Sequence, residues 1–134
     1  MHKLDFEKLI AYDSGKVGIT VDVTISLSNL SENFQAKIDT GAEGCVFARS
    51  LVEKLGIEIE TGELQRFSTV RSSFLTFGHT ITLTVADMSF DSYVFFAEDE
   101  NFNRNVLGRR GWLDRVIIAI NDYDGKLYMS RYED

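Results

Sequence analysis

Residues 36–42 read Ala-Lys-Ile-Asp-Thr-Gly-Ala, and this stretch decides which fold the chain is predicted to adopt. Apolar and polar residues alternate up to it, which predicts a strand that ends at Asp39. A carboxylate at a strand end is held on a stiff element and points out of the sheet. Gly41 permits a tight turn and a close backbone approach, and Thr40 offers a hydroxyl that the turn can hold. Asp-Thr-Gly also occurs in ordinary turns, so the surrounding chain decides its interpretation.

The residues before this stretch predict a partner strand. Apolar residues alternate with Gly, Thr, Asp and Ser over residues 17–27, which is the period of a long strand with one buried face. Residues 28–33 have the composition of a turn, and a second strand covers residues 34–38. We therefore expect a hairpin that ends at Asp39.

After the turn the pattern predicts a short helix and then further strands. Phe47, Leu51 and Leu55 recur at helical spacing, and Gly56 stands where a C-terminal cap ends a helix. The remaining expected elements are strands at residues 81–85, 93–96 and 106–107, a polar loop at residues 98–105, one or two helical turns at residues 109–114, and a hairpin at residues 116–129 with Asp124 and Gly125 in its turn.

The order of these elements indicates a mainly β fold. Many short strands with one or two short helices, and no regular strand–helix alternation, favour a closed antiparallel β-barrel. The sequence has no repeat and no linker rich in Gly, Ser or Pro, which predicts a single domain over residues 1–134.

Composition limits the classes of partner. The formal net charge of −7 argues against a nucleic-acid partner, because phosphate binding needs a basic face. The apolar runs are far shorter than a membrane span, and the first residues lack the apolar stretch of a signal peptide. Cys45 is the only cysteine, so no internal disulfide can form and a cytoplasmic location is expected.

A second motif lies downstream, where residues 106–109 read Val-Leu-Gly-Arg. Together with residues 36–42 and the order of elements between them, it makes the chain resemble the retropepsin-like aspartic peptidases of the single-domain, bacterial type. The resemblance covers roughly residues 17 to 130. It implies a retropepsin-like closed antiparallel β-barrel, peptide-bond hydrolysis and no cofactor.

The resemblance assigns roles to the residues of the two motifs. Asp39 matches the catalytic aspartate. Thr40 matches the residue whose hydroxyl braces the active-site turns of two subunits. Gly41 and Ala42 match the turn whose backbone borders the substrate.

Three further residues have supporting roles by the same resemblance. Gly108 matches the glycine that lets one strand pass close to the catalytic turn. Arg109 matches an arginine that commonly pairs with an acid, and Glu43 occupies the expected neighbourhood, although Glu43 is equally interpretable as a solvated turn residue. The chain departs from the family in residues 65–74, where the substrate-covering flap is expected and no glycine is present.

A single aspartate of this kind implies a homodimer. The chemistry needs two carboxylates about 3 Å apart that share one proton and hold one water. The chain is too short for two lobes, so a second copy must supply the partner of Asp39 across a two-fold axis. The expected partners are therefore a second subunit and a peptide or protein substrate, with no nucleic acid and no membrane.

Other sites are not indicated. His2 and His79 stand far apart in the sequence without cysteines or carboxylates at ligand spacing, so no metal is expected. Cys45 is more simply interpreted as a buried packing residue than as a nucleophile. Two functions remain open: an aspartic endopeptidase, and a catalytically silent peptide-binding or dimerisation module with the same fold.

Overall fold

The computed structural model describes residues 1–132, and most of the regular structure in them is β-strand. The strands are β1 (Lys8–Ala11), β2 (Thr20–Leu27), β3 (Leu30–Ile38), β4 (Val46–Phe47), β5 (Glu63–Ser68), β6 (Ser73–Val85), β7 (Met88–Ala97), β8 (Val106–Leu107), β9 (Val116–Asn121) and β10 (Lys126–Arg131). The helix α1 covers Arg49–Lys54, and 3₁₀ turns cover Ile59–Thr61 and Leu113–Arg115.

Six strands form a closed ring of hydrogen-bonded neighbours in the order β2, β3, β8, β4, β7, β6, because β6 also pairs with β2. The predicted mainly β fold is confirmed. Two pairings in the ring are parallel, β3 with β8 and β4 with β7, since β4 and β8 thread back beside the turn that follows β3. Strand β5 pairs with β6 alone and is the edge of this sheet.

The hairpin that ends at Asp39 is present, with a shorter loop than expected. Leu27 pairs with Leu30, so Ser28 and Asn29 form a two-residue connection and the second strand begins four residues earlier than the sequence pattern indicated. Ser28 has a φ of 55°, as tight hairpin connections require. The long pairing of β2 with β3 makes the support of the turn rigid.

The interior of the ring is filled by the alternating apolar residues of these strands. Val23, Ile25 and Leu83 are at most 1% exposed, and Phe47 and Trp112 are fully buried. Burying a side chain of this size stabilises the fold by about 1.5–3 kcal/mol. The core therefore anchors both β2 and the segment that follows the turn at Asp39.

The helical segments are shorter than the sequence pattern suggested. Phe47 belongs to β4 and the helix begins only at Arg49, whereas Gly56 follows the helix with a φ of 77°, as a C-terminal glycine does. The predicted helical turns at residues 109–114 reduce to the 3₁₀ turn at Leu113–Arg115. Hydrogen bonds from Leu113 and Asp114 N–H groups to residues 108 and 109 hold that segment.

A separate three-stranded sheet in the order β1, β10, β9 joins the two ends of the described chain. The predicted C-terminal hairpin is present as β9 and β10, with the chain turning at residues 122–125. Strand β1 was not predicted from the sequence. Among residues 1–132, no helix has both the length and the apolar character that crossing a membrane would need.

Candidate active site

Asp39 follows β3 directly and is half-buried at the edge of the ring. Its backbone N–H donates to the Leu107 carbonyl at 3.0 Å, and the N–H of Ile38 donates to the Ile19 carbonyl at 2.8 Å. The end of β3 is therefore held on both sides, by β8 and by the chain that leads into β2. These bonds fix the position of the Asp39 backbone, from which the carboxylate projects.

The turn after Asp39 also fixes the orientation of its carboxylate. The Gly41 N–H donates to Asp39 Oδ1 at 2.9 Å, and the Ala42 N–H donates to the Asp39 carbonyl at 3.2 Å. Gly41 does not adopt a left-handed φ. A glycine suits this position because the turn approaches the Asp39 carboxylate closely, and a Cβ on residue 41 would stand 3.3 Å from Asp39 Oδ1. One carboxylate oxygen is thus bound to the turn, which leaves Oδ2 for another partner.

Gly108 lies where β8 passes the turn most closely. A Cβ on Gly108 would overlap the Gly44 carbonyl oxygen and would stand 2.8 Å from the Ala42 oxygen. These obstacles are backbone atoms, which cannot move aside like the end of a side chain. The Arg109 N–H then donates to the Ala42 carbonyl at 2.9 Å. Strand β8 and the turn are therefore locked together through their main chains.

The expected side-chain ion pair between Glu43 and Arg109 does not form within the chain. In residues 1–132 the ion pairs are Arg49 with Glu53, Arg49 with Glu60, and Lys54 with Glu32. Glu43 and Arg109 are both exposed. Glu43 is instead tied through its carbonyl, which accepts the Arg110 N–H at 2.8 Å. The resemblance placed the two residues in the same neighbourhood but did not determine where their side chains point.

Thr40 is exposed at the outer face of the turn. Within the described residues its hydroxyl makes no hydrogen bond, whereas the backbone on either side of it is tied into the turn. A small hollow beside it is lined by Thr40, Arg109, Arg110, Leu113 and Asp114. The hydroxyl is therefore available to a group from outside the chain.

A groove of about 1250 Å³ runs beside the turn, and Asp39 lies in its wall. Residues 41–44 also line the groove, as do residues 65–70 of β5 and its following loop. The hairpin of β5 and β6 corresponds to the flap expected from the resemblance. The groove is therefore bordered by the residue Asp39 and by an edge strand.

The groove is lined by aromatic rings that pack on one another. Phe67 stacks on Phe74 with 5.9 Å between centroids and meets the edge of Phe95 at 5.0 Å. Phe74 also lies 4.8 Å from Phe102, and Tyr93 lies 5.2 Å from Phe95. Four of these five rings are half-buried, so they are packed together and still face the groove. We call Phe67, Phe74, Phe95, Phe102 and Tyr93 the aromatic cluster.

Sequence reasoning missed the aromatic cluster. Phe102 lies in the stretch that was predicted to be a plain polar loop, and the other rings come from β5, β6 and β7. One signal was available. Phe67 and Phe74 stand symmetrically about the expected hairpin tip, and the two residues pair directly in the structure.

The flap tip, residues 69–72, is fastened by hydrogen bonds. The Thr69 N–H donates to the Ser72 carbonyl at 2.7 Å, and the Ser72 N–H donates to Thr69 Oγ1 at 3.1 Å. Val70 at the tip is fully exposed. Serine and threonine side chains thus hold a tip that contains no glycine, and an apolar side chain projects from it into solvent.

Cys45 lies just beyond the turn and is fully buried. Burial raises the pKa of its thiol to about 12, so the thiolate needed for nucleophilic attack is not formed near neutral pH. The thiol packs against the segment that carries Arg110, whose carbonyl lies 3.6 Å from Sγ. Its environment is that of a packing residue.

A family model described as aspartyl protease matches residues 21–110. This match covers nearly all of β2, the turn at Asp39, the flap and β8, and it contains all of the groove's lining residues except Gly111, Asp114 and Arg115. Comparison with curated proteins gives no match. Because the match extends over more than half of the 134 residues and includes both motifs, the chain belongs to the aspartyl proteases, in their retropepsin-like form.

Proposed function

We propose that the chain is the subunit of a homodimeric aspartic endopeptidase and that Asp39 is its catalytic carboxylate. The observation that carries the proposal is the position of Asp39. It lies in the wall of a peptide-sized groove, on a strand end held by two neighbouring segments, with Oδ1 bound by the Gly41 N–H and Oδ2 left over. A carboxylate with one oxygen fixed has a defined orientation toward a reacting group.

The proposed mechanism needs Asp39 and Asp39 of the partner subunit around one water. One carboxylate accepts a proton from the water as its oxygen attacks the scissile carbonyl carbon, while the other, protonated, donates to the carbonyl oxygen. The roles reverse when the tetrahedral intermediate collapses: the C–N bond breaks and the leaving amine takes a proton. Two carboxylates about 3 Å apart share a proton, so the pair is active at mildly acidic pH.

The outer face of the turn supports the proposed two-fold contact. Thr40 is exposed there with no hydrogen-bonding partner in the described chain, and Arg109 is exposed beside it. We propose that Thr40 bonds to the turn of the second subunit. Arg109 and Glu43, which do not pair with each other inside one chain, are then available to groups of the partner.

Strand β5 supports the proposal that the substrate binds as an added strand. It is the edge of its sheet, and its residues from Gln65 onward line the groove. An extended peptide can therefore bond to its free backbone groups while its side chains meet the groove wall. We also propose that residues 1–134 act as one domain, and that the location is cytoplasmic, because the lone Cys45 is a buried thiol.

The alternative of a catalytically silent binding module is favoured by one observation. The flap tip contains no glycine, whereas flexible glycines are usual there in this family, and hydrogen bonds join Thr69 and Ser72 across it. A flap with this departure from the family is compatible with retaining a peptide without turnover.

Cleavage of a peptide library between about pH 4 and 7 tests the proposal, because this window brackets a shared-proton pair. We expect the wild-type dimer to cleave peptides and the Asp39→Asn variant not to cleave them. The substitution should leave the urea midpoint of unfolding and the mass of the dimer unchanged. Sedimentation of the same samples gives the oligomeric state. Cleavage by a strict monomer, or full activity of Asp39→Asn, would refute the dyad, and a peptide-binding dimer without cleavage would favour the silent module.

A further inference from the structure

The groove carries a different charge balance from the rest of the chain. The whole sequence has 14 basic and 21 acidic residues, whereas the groove is lined by four arginines and three carboxylates. These are Arg66, Arg104, Arg110 and Arg115, with Asp39, Glu43 and Asp114. Positive charge is therefore concentrated at the groove of an otherwise acidic protein, and the catalytic position accounts for one of its negative charges.

Two of these arginines are already engaged. Arg115 donates to the Asp91 carbonyl at 3.0 Å and lies 4.9 Å from the centre of the Phe90 ring. Arg66 donates to Ser73 Oγ at 3.0 Å, across the β5–β6 hairpin. These contacts give both guanidinium groups a structural role. They are not the first candidates for binding an incoming group.

Arg104 and Arg110 differ from these two because neither side chain makes a hydrogen bond or ion pair with the described residues, although both line the groove. Arg110 also borders the hollow beside Thr40. Arg104 is the one next to the aromatic cluster, since it lies two residues after Phe102, which contacts Phe74. The same short segment thus presents an apolar ring and a guanidinium to one groove. Residues at this separation have Cα atoms no more than about 7 Å apart.

An extended peptide has a spacing within reach of such a pair along one of its faces. Side chains two positions apart point to the same side and are separated by about 7 Å. A peptide that places a large apolar side chain against the aromatic cluster can therefore place its neighbour two positions away beside Arg104. A carboxylate there would meet a guanidinium that no other side chain of the described residues engages, whereas an ammonium group would be repelled.

We propose that the groove selects peptides in which a large apolar residue and an Asp or Glu stand two positions apart, with Arg104 binding the acidic side chain. The inference rests on the proposed use of the groove for peptides, but it does not need the hydrolytic step. Arg104 is exposed, and exposed ion pairs give about a two- to five-fold difference in affinity. Salt screens such a pair, so the preference should shrink as ionic strength rises.

The test uses fluorescein-labelled decapeptides that carry Phe and, two positions later, Glu, Gln or Lys. Binding to the full-length Asp39→Asn protein is measured by fluorescence anisotropy, so that cleavage cannot interfere. We expect affinity to fall about two- to five-fold from Glu to Gln and further to Lys at low salt, with a smaller spread in 0.5 M NaCl (about a 4 Å screening length).

Variants of Arg104 assign the preference to one residue. Arg104→Gln should abolish the difference between the Glu and Gln peptides, and Arg104→Glu should reverse the order of Glu and Lys. Lys126→Glu is the matched control, because it makes the same change of charge on an exposed residue of β10 that does not line the groove. It should leave the order of the three peptides unchanged.

Equal affinity for the three peptides, no binding of any of them, or an unchanged order in Arg104→Glu would overturn the inference. Cleavage by the wild-type protein is assayed in parallel, so that the two proposals can fail separately. A charge preference that depends on Arg104, without cleavage, supports the inference and counts against the endopeptidase. Cleavage with no preference for the acidic peptide does the opposite.

Discussion

Replacing Gly108 by alanine tests the close approach of this residue to the backbone that follows Asp39. The added methyl group would overlap the Gly44 carbonyl oxygen and stand 2.8 Å from the Ala42 oxygen. Neither atom belongs to a flexible side chain, so either β8 or the turn after Asp39 must shift. Both segments are held by the hydrogen bond from the Arg109 N–H to Ala42.

The cost follows from the rigidity of both segments. Overpacking a close-packed site usually costs about 1–3 kcal/mol, and an obstacle made of backbone favours the upper end. With a urea dependence of about 2 kcal/mol/M, a loss of about 3 kcal/mol lowers the unfolding midpoint by about 1.5 M. If Asp39 is catalytic as proposed, a shift of the turn by about 1 Å also reduces cleavage about 100-fold, since it moves the carboxylate away from its reacting geometry.

The assay is urea unfolding followed by the fluorescence of Trp112, which is the only tryptophan and is fully buried. Gly15→Ala is the matched control, because its Cβ would approach only the end of the exposed Asp13 side chain, at 3.2 Å. We expect the control to stay within about 0.5 kcal/mol of wild type. If Gly108→Ala unfolds at the wild-type urea concentration and any cleavage activity is retained, the close approach is not a structural requirement.

Three further predictions concern other parts of the molecule. Iodoacetamide at pH 8 should leave Cys45 unmodified in the native protein and modify it in urea, as read by mass spectrometry, because burial raises the pKa of the thiol; equal labelling in both states would contradict this. Val70→Ser should leave the urea midpoint unchanged, since Val70 is fully exposed. It should lower kcat/KM for peptide cleavage if the flap tip covers the substrate. An unchanged kcat/KM would mean that the tip does not contact the substrate. The hydrogen bond from Arg49 lowers the pKa of Glu60, so the stability this pair contributes is present above the ordinary carboxyl pKa and is lost as pH falls through the lowered value. The difference in urea midpoint between wild type and Arg49→Gln should therefore be larger at pH 7 than at pH 3, and an equal difference at both would refute the pairing.

Features that depend on neighbouring residues were predictable from the sequence. The hairpin that ends at Asp39 follows from strict alternation, and the end of α1 follows from Gly56, whose φ of 77° suits glycine. The close passage of Gly108 was expected from the resemblance of residues 106–109 and is present in the structure. In each case a short pattern determines a short piece of backbone.

Features that depend on distant residues were not predictable in this way. Strand β1 forms because Leu9 and its neighbours pair with β10, more than 110 residues later, and four residues carry too little periodicity to predict a strand. The aromatic cluster joins rings from four segments, and the symmetry of Phe67 and Phe74 about the flap tip indicates only one of its contacts. Glu43 and Arg109 do not form the ion pair expected from the resemblance, because the resemblance does not determine the direction of their side chains.

The edge position of β5 has a consequence for handling the protein. Its outer backbone groups attract any extended chain, including unfolded copies of the protein itself, and such edges are where ordered aggregates begin. The exposed Glu63 and Arg66 place charge along this strand, which discourages stacking of one copy on another. Replacing Glu63 and Arg66 by uncharged residues should therefore increase the aggregation of concentrated samples during storage, even when the melting temperature is unchanged.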